Sequence, residues 1–316
     1  MVSAQKIWDA APHNAFTDLE RFKGRWFCVF REGQAHVSPD GKLRVITSTD
    51  GRRWTSAALM ALPDGDLRDA KIVVTPAHEL MLSGAVALRE PSKFRHQSLA
   101  WFSHNGRRWS APIKIGDPNF WLWRVVWHQG AAYSVGYHTV DPGFVRLYRS
   151  QDGGDFKAWV PTLFDQAEPN ESALVFLPDE TCLCVLRRDG QPGSGVLGEA
   201  RPPYVEWRWR DLGVSLGGPQ ALRLPDGRIV VAARHYGGGA AHTSLLWLEP
   251  EAAKLTEFLR LPSGGDCSYP GLVWYRGLLW VSYYSSHEGK TSIYLAKIRL
   301  PPRAVSPVAP LSGRRF

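Results

Sequence analysis

Short apolar runs alternate with polar turns along the whole chain. Runs of about five residues rich in β-branched and aromatic side chains are typical of strands, and a convincing helical period is missing almost everywhere. Six such runs start roughly fifty residues apart, and a turn containing Gly or Pro follows each of them. We therefore predict the first strands of six repeated units at Ala15–Leu19, Asp69–Val74, Trp123–Trp127, Ser172–Leu177, Gln220–Leu224 and Pro270–Tyr275.

Two further strands follow in each unit. The second are predicted at Trp26–Phe30, Leu80–Gly84, Ala132–Tyr137, Cys182–Leu186, Ile229–Ala233 and Leu278–Tyr283. The third are predicted at Leu43–Ser48, Ser98–Ser103, Val145–Ser150, Gly195–Ala200, Thr243–Leu248 and Ser292–Ile298. About six units of four short strands are typical of an all-β fold, a six-bladed β-propeller in one domain spanning residues 1–316. The last unit runs out after three strands, so we expect Lys6–Asp9 to close the ring and the Pro-rich tail, residues 301–316, to lie on the surface.

A short motif ends the third strand in the first three units. It reads Ser, any residue, Asp or Asn, Gly, two more residues and an aromatic, at Ser48–Trp54, Ser103–Trp109 and Ser150–Phe156. Asp-Gly and Asn-Gly pairs favour tight turns, so we interpret the motif as a structural fastener. These repeats resemble the Asp boxes, or BNR repeats, of the sialidase superfamily, whose fold is a six-bladed propeller and whose boxes lie on the rim, away from the active site.

Composition narrows the class of protein. The chain has 316 residues, of which 44% are hydrophobic and 22% charged, without a run of eighteen apolar residues, so no membrane span is predicted. The N-terminus has no apolar leader segment, which favours a cytoplasmic location, although a chain whose leader had been removed would look the same. The four cysteines have no metal-binding spacing, so we expect them to be reduced and predict neither a metal site nor a cofactor.

The net charge of +8 favours anionic ligands, but no basic stripe or motif indicates nucleic acid. In a propeller, ligands usually bind on the axis, where first strands begin and second strands end. Arg31, Arg187 and Arg234 each end an apolar second strand. Converging arginines repel one another unless an anion joins them, so we predict a carboxylate site.

The resemblance to sialidases implies a mechanism for that site. Those enzymes hold the substrate carboxylate with three arginines and attack with a Tyr paired to a Glu, while an Asp acts as acid. Sialidases are the exception to the usual pair of catalytic carboxylates, since a neutral Tyr avoids repulsion from the substrate carboxylate. Tyr269, Glu171, Arg187 and Arg234 match the family pattern in the second half of the chain.

The first half departs from the family. Its F-R-I-P motif is missing, and His13 and Asn14 stand where its arginine would be, so we expect Arg31 to substitute. We predict Asp69 as the acid, with Glu32 and His36 as alternatives. Further predicted contacts to the ligand are Arg68, Arg124, His13, His235 and a stacking wall of Trp121 and Trp123.

The sequence thus predicts a sialidase-like glycosidase that cleaves a terminal α-linked acidic sugar, either sialic acid or a related ulosonic or uronic acid. Its partner would be an acidic carbohydrate or glycoconjugate. Two alternatives stay open. One is a lyase that abstracts the proton next to a uronate carboxylate through a Tyr/His pair, and the other is a propeller that binds carbohydrate without catalysis. The sequence says nothing about the oligomeric state.

Overall fold

The computed structural model describes residues 1–63, 65–90, 93–236 and 239–302. Within these ranges, 24 strands form six four-stranded antiparallel sheets. First strands of successive sheets contact one another around a ring. The predicted six-bladed β-propeller is confirmed. No helix in the described part of the chain is long and apolar enough to cross a membrane.

The strands repeat in the same order in every blade. The inner strands are β2 His13–Phe22, β6 Gly65–Val74, β10 Phe120–His128, β14 Pro169–Phe176, β18 Leu216–Arg223 and β22 Cys267–Tyr275. The second strands are β3 Arg25–Gly33, β7 Leu80–Leu88, β11 Ala131–His138, β15 Cys182–Arg188, β19 Ile229–His235 and β23 Leu278–Ser285. The third strands are β4 Lys42–Ser48, β8 His96–Ser103, β12 Val145–Ser150, β16 Val196–Ala200, β20 His242–Glu249 and β24 Ser292–Ile298. The outer strands are β5 Thr55–Met60, β9 Ile113–Ile115, β13 Lys157–Phe164, β17 Arg208–Asp211, β21 Lys254–Arg260 and, from the start of the chain, β1 Ser3–Trp8.

The ring is closed by its two ends. Strand β1 pairs antiparallel with β24, with Ser3 opposite Lys297 and Lys6 opposite Tyr294. The prediction that a segment near Lys6–Asp9 supplies the missing strand is confirmed, although the strand begins earlier, at Ser3. The predicted surface position of the tail concerns residues that, from 303 onward, lie outside the described ranges.

The Ser-x-Asp/Asn-Gly motif acts as a fastener in its first copy. Ser48 Oγ accepts a hydrogen bond from Gly51 N at 2.9 Å, and Asp50 Oδ1 accepts from Arg52 N at 2.8 Å. Hydrogen bonds from the backbone N–H groups of Arg52 and then Arg53 lower the pKa of Asp50 to about 2. Gly51 has a φ of +67°, and a Cβ there would lie 2.4 Å from the Trp280 ring of blade six. The turn therefore holds neighbouring blades together.

Every inner strand has a β-bulge at the same place. The register between the inner and second strands shifts between Ala15 and Asp18 in blade one and between Ser268 and Gly271 in blade six, with equivalent shifts in the other four blades. The inner strands all begin earlier than predicted, because the bulge interrupts the alternation that marks a strand in the sequence. A bulge also bends its strand and re-aims the side chains that it carries.

Candidate active site

Two of these bulges bring Tyr269 and Glu171 together. Tyr269 Oη donates a hydrogen bond to Glu171 Oε1 at 2.6 Å, and the two residues are 6% and 8% exposed. Glu171 Oε2 accepts from Arg187 Nη1 at 2.7 Å and from Gly218 N at 2.6 Å. Burial raises the pKa of Glu171, but the charge of Arg187 and these hydrogen bonds outweigh it, so the pKa lies below its usual value. Glu171 is thus an ionised acceptor for the Tyr269 proton.

The backbone at Tyr269 is held in a sparsely populated conformation. Its φ is 50°, in the left-handed region that side chains other than Gly rarely adopt. Gly218 occupies the equivalent bulge of blade five, also with positive φ, and a Cβ on it would lie 2.6 Å from the Tyr269 ring. Burial and then the Glu171 charge raise the pKa of Tyr269 well above its usual value. The free protein therefore holds Tyr269 protonated, against an ionised base.

Two of the predicted arginines flank this pair. Arg187 Nη1 lies 3.2 Å from Tyr269 Oη, and the Arg234 guanidinium carbon lies 5.1 Å from the Tyr269 ring centroid. Arg234 donates to Cys267 O at 2.8 Å and to Tyr284 Oη at 2.8 Å. Both side chains keep part of their surface exposed. They bring positive charge next to the hydroxyl that would react.

Arg31 does not join them. Its Nε donates to Asp66 Oδ1 at 2.9 Å, and its two terminal nitrogens donate to Ala35 O at 2.8 Å and Ser38 O at 3.0 Å. The side chain is 0% exposed. The structure therefore does not support the predicted contact between Arg31 and a ligand, since no surface is left for one.

Arg68 brings a third cation to the site instead. Its guanidinium carbon lies 5.6 Å from the Phe16 ring and 5.9 Å from the Trp121 ring. Phe16 in turn packs edge-on against Tyr269, with ring centroids 5.1 Å apart. Arg68, itself among the predicted ligand contacts, thus packs on the Phe16 ring that contacts Tyr269.

Asp69, the predicted acid, occupies the blade-two bulge. Its φ is 54°, and it is 7% exposed. Burial raises its pKa above the usual value, although the charges of Lys71 and Arg68 oppose this. Burial, and then the charges of Asp69 and Glu171, raise the pKa of Tyr137 well above its usual value. A buried carboxyl with a raised pKa is suited to donate a proton.

A network around Asp266 forms the opposite wall. Asp266 Oδ2 lies 2.8 Å from His13 Nε2 and 2.8 Å from His36 Nδ1, while Oδ1 accepts from Tyr284 Oη at 2.8 Å and faces Arg234 Nη2 at 3.3 Å. Burial raises the pKa of Asp266, but the hydrogen bonds from the two histidines and the charge of His36 outweigh it and hold the pKa well below its usual value. His13 and His36 therefore both contact Asp266 in this wall, and their contact with a ligand stays a prediction. Sequence reasoning did not select Asp266 and Tyr284 as site residues, since no recognised motif contains them.

Several other predicted ligand contacts have structural partners. Glu32 accepts from Trp8 Nε1 at 2.7 Å and from Arg44 Nη2 at 2.8 Å, which argues against it as the acid.

Arg124 pairs with Asp18 at 2.9 Å. This pair lines a separate cavity of about 490 Å³ enclosed by the inner strands. His235 faces Glu257 at 3.0 Å.

The two predicted stacking tryptophans differ in what they contact. Trp121 stacks on Tyr137 with ring centroids 6.0 Å apart, and both line a depression of about 390 Å³ together with His96 and Asn170. Trp123 is almost fully buried, 5.7 Å from the Tyr269 ring. Trp121 can therefore contact a ligand in the depression, whereas Trp123 supports the tyrosine from behind.

Known structures share this fold. A protein of unknown function from Dyadobacter fermentans is 19% identical, with 95% of this chain and 98% of that chain covered and a TM-score of 0.84. The Penicillium chrysogenum α-L-arabinanase, solved with arabinobiose, is 13% identical over 93% of this chain and 98% of its own, with a TM-score of 0.68. Trypanosoma rangeli sialidase is 12% identical over 92% of this chain, with a TM-score of 0.70, and this chain spans 55% of it.

At these identities the likeness shows the fold. The neighbours include sialidases and an arabinanase, which are propeller glycoside hydrolases, so the resemblance noted in the sequence holds at the level of architecture. No protein-family model matches the chain, and no curated protein matches it by sequence.

Proposed function

We propose that this protein is a glycoside hydrolase of the sialidase type that cleaves a terminal α-linked acidic sugar. One observation carries the proposal: Tyr269 Oη donates to Glu171 Oε1 at 2.6 Å, with Arg187 bonded to both residues. A tyrosine on an ionised carboxylate, beside two partly exposed arginines, is an arrangement for a nucleophile that meets a negatively charged substrate.

The hydrolytic steps divide among these residues. Arg187, Arg234 and Arg68 hold the sugar carboxylate. Tyr269 Oη attacks the anomeric carbon while its proton passes to Glu171, and Asp69 gives its proton to the departing glycosidic oxygen. Water then cleaves the glycosyl–tyrosine bond, with Asp69 accepting one proton of the water and Glu171 returning its proton to Tyr269.

The three arginines favour an acidic over a neutral sugar. Arg187 pairs with Glu171 and Asp189, Arg234 with Asp266, and Arg68 lies 3.9 Å from Asp66. A substrate carboxylate would add charge-assisted hydrogen bonds from their partly exposed guanidinium groups. The arabinanase with the same fold was solved with arabinobiose, so the fold by itself does not set this preference.

The experiment is a turnover screen with sialosides, Kdo-type glycosides and uronides, using the protein and two tyrosine variants. Tyr269→Phe is expected to lower kcat by at least about 1,000-fold while substrate binding, measured by thermal shift, persists. Tyr283→Phe is the matched control, since its hydroxyl donates to Pro262 O at 3.1 Å rather than to Glu171. Full activity in Tyr269→Phe would refute the mechanism, and the absence of any response to acidic sugars would refute the substrate class.

A second candidate reaction is supported by the exposed His36. Its Nδ1 contacts Asp266, so its Nε2 is free to take a proton from a uronate carbon next to the carboxylate. The same screen separates the two reactions, because a lyase creates a double bond that absorbs in the ultraviolet and hydrolysis does not. Stabilisation by acidic sugars without either product would leave carbohydrate binding as the function.

A further inference from the structure

Three side chains converge on blade five, outside the hydrogen-bond network of Tyr269 and Glu171. His235 ends β19, His242 begins β20 and Glu257 lies on β21. Glu257 Oε2 lies 3.0 Å from His235 Nδ1 and 3.2 Å from His242 Nε2. All three ligand atoms fall within 4.8 Å of one another, and the side chains are largely shielded from solvent.

The hydrogen bonds around this triad set the proton positions. His242 Nδ1 lies 3.0 Å from Ala240 O, and because a carbonyl only accepts, Nδ1 carries the proton. In the neutral imidazole, Nε2 then directs a lone pair at Glu257 Oε2. Ser244 Oγ already donates to that same oxygen at 2.6 Å, and Arg260 occupies the other oxygen. Two lone pairs 3.2 Å apart repel each other, so either a second proton on the imidazole or a metal ion must lie between them.

We propose that His235 Nδ1, His242 Nε2 and Glu257 Oε2 bind one divalent transition-metal ion of the zinc class, with water completing the coordination. In tetrahedral zinc sites with bonds of about 2.1 Å, ligand atoms lie about 3.4 Å apart, so separations of 3.0 and 3.2 Å require only small shifts. The carbonyl of Ala240 is the outer partner that metal-binding histidines ordinarily have. This site departs from the sequence analysis, which predicted no metal.

The similar triad of His13, His36 and Asp266 is a weaker candidate and serves as an internal control. The second ring nitrogen of His13, Nδ1, is buried without a partner among the described residues, so the outer hydrogen bond is missing there. His36 is also much more exposed than either histidine of blade five. Two triads of similar composition thus differ in the feature that orients a metal ligand.

The position of the site indicates a structural role. The metal would join the ends of β19 and β20 to β21, directly after Arg234 on β19. Arg234 and His235 are consecutive residues at the end of β19. The ion would therefore hold the strand ends on which the carboxylate-binding arginine depends, without contacting substrate.

Zinc titration of metal-stripped, tag-free protein tests the site, followed by metal analysis and thermal denaturation. The protein is expected to bind one equivalent of zinc and to melt at a higher temperature with it. Glu257→Gln is expected to weaken zinc binding by about 100-fold or more and to abolish that stabilisation, because it replaces a charged ligand. The matched control Asp266→Asn is expected to keep both.

The opposite pattern, with zinc lost in Asp266→Asn and kept in Glu257→Gln, would overturn the assignment, as would an unmodified protein that binds no zinc. If Glu257→Gln does not fold, anomalous diffraction at the zinc edge from crystals of the unmodified protein decides. A peak between the three ligand atoms supports the site, and its absence there refutes it. None of these measurements depends on turnover, so they test the metal site independently of the proposed hydrolase activity.

Discussion

An Arg–Asp pair joins neighbouring blades at two junctions of the propeller, and it is buried at one junction and partly exposed at the other. At the junction of blades one and two, Arg31 at the end of β3 reaches Asp66 at the start of β6. At the junction of blades five and six, Arg234 at the end of β19 reaches Asp266, just before β22. The register is equivalent, since Arg31 pairs with Ala15 and Arg234 with Gly217, each immediately before its bulge.

The loop that follows Arg31 accounts for the burial of its guanidinium group. At the first junction, Ala35 and Ser38 turn back over the guanidinium and leave it 0% exposed. At the second, Arg234 keeps 13% of its surface and Asp266 keeps 28%. The pKa of Asp66 is raised by burial, whereas hydrogen bonds from His13 and His36 hold that of Asp266 well below its usual value despite burial. The Arg–Asp pair is therefore a buried structural ion pair between blades one and two, and part of a solvent-accessible site between blades five and six.

Removing the buried arginine is expected to produce the largest change. Arg31→Met leaves Asp66 buried with only Arg68, at 3.9 Å, as a charge partner, so the free energy of unfolding should fall by about 3–5 kcal/mol. Urea denaturation measures this, with Arg53→Met in an exposed turn as a control of equal charge change. A decrease in the free energy of unfolding of less than about 1 kcal/mol would show that the buried Arg31–Asp66 ion pair does not stabilise the fold.

Removing the open arginine is expected to affect function rather than stability. Arg234→Met should raise KM for an acidic glycoside and lower kcat/KM by about 100-fold, or about 2.7 kcal/mol, because one contact to the carboxylate is lost. Its melting temperature should change far less than that of Arg31→Met. A larger decrease in melting temperature for Arg234→Met than for Arg31→Met would contradict this difference between the two junctions.

The two aspartates should also differ in how stability depends on pH. The pKa of Asp266 is lowered in the folded protein, so its contribution is present above the unfolded pKa of about 3.9 and is lost as pH falls through the folded pKa. The pKa of Asp66 is raised, so its ionisation costs stability as pH rises above about 3.9. Asp266→Asn should flatten the fall in melting temperature on the acid side, and Asp66→Asn should not. Identical acid profiles would contradict this.

Two catalytic carboxyl groups should set the shape of the pH profile of catalysis. Glu171, with a lowered pKa, must be ionised, and Asp69, with a raised pKa, must be protonated. Activity should therefore fall at low pH as Glu171 gains its proton and at higher pH as Asp69 loses its own. Asp69→Asn is expected to remove the fall on the alkaline side along with most of the rate, as kcat/KM measured across pH would show. A retained alkaline limb would assign the acid to another group, with His36 first among the alternatives.

The sequence by itself determined the architecture, because strand, turn and repeat signals are local. Six units of about fifty residues, turns at Asp-Gly and Asn-Gly pairs and an incomplete last unit were enough to predict the propeller and its closing strand. The resemblance to sialidases drew attention to Tyr269 and Glu171, each at the start of a first strand. The structure brings their side chains to 2.6 Å of each other.

Tertiary structure alone decided which charged side chains face the site. Arg31 and Arg187 follow nearly identical apolar runs, yet the residue in register with Arg31 is Arg188, which pairs with Pro169 before the bulge. Arg187 lies opposite the bulge and turns to Glu171, while Arg188 turns to Asp211. A shift of one residue in the register places a side chain on the opposite face of the strand. A loop that covers the strand end then determines whether that side chain is buried or exposed. Neither effect can be predicted from the sequence of a single strand, because both depend on how separate segments of the chain pack together.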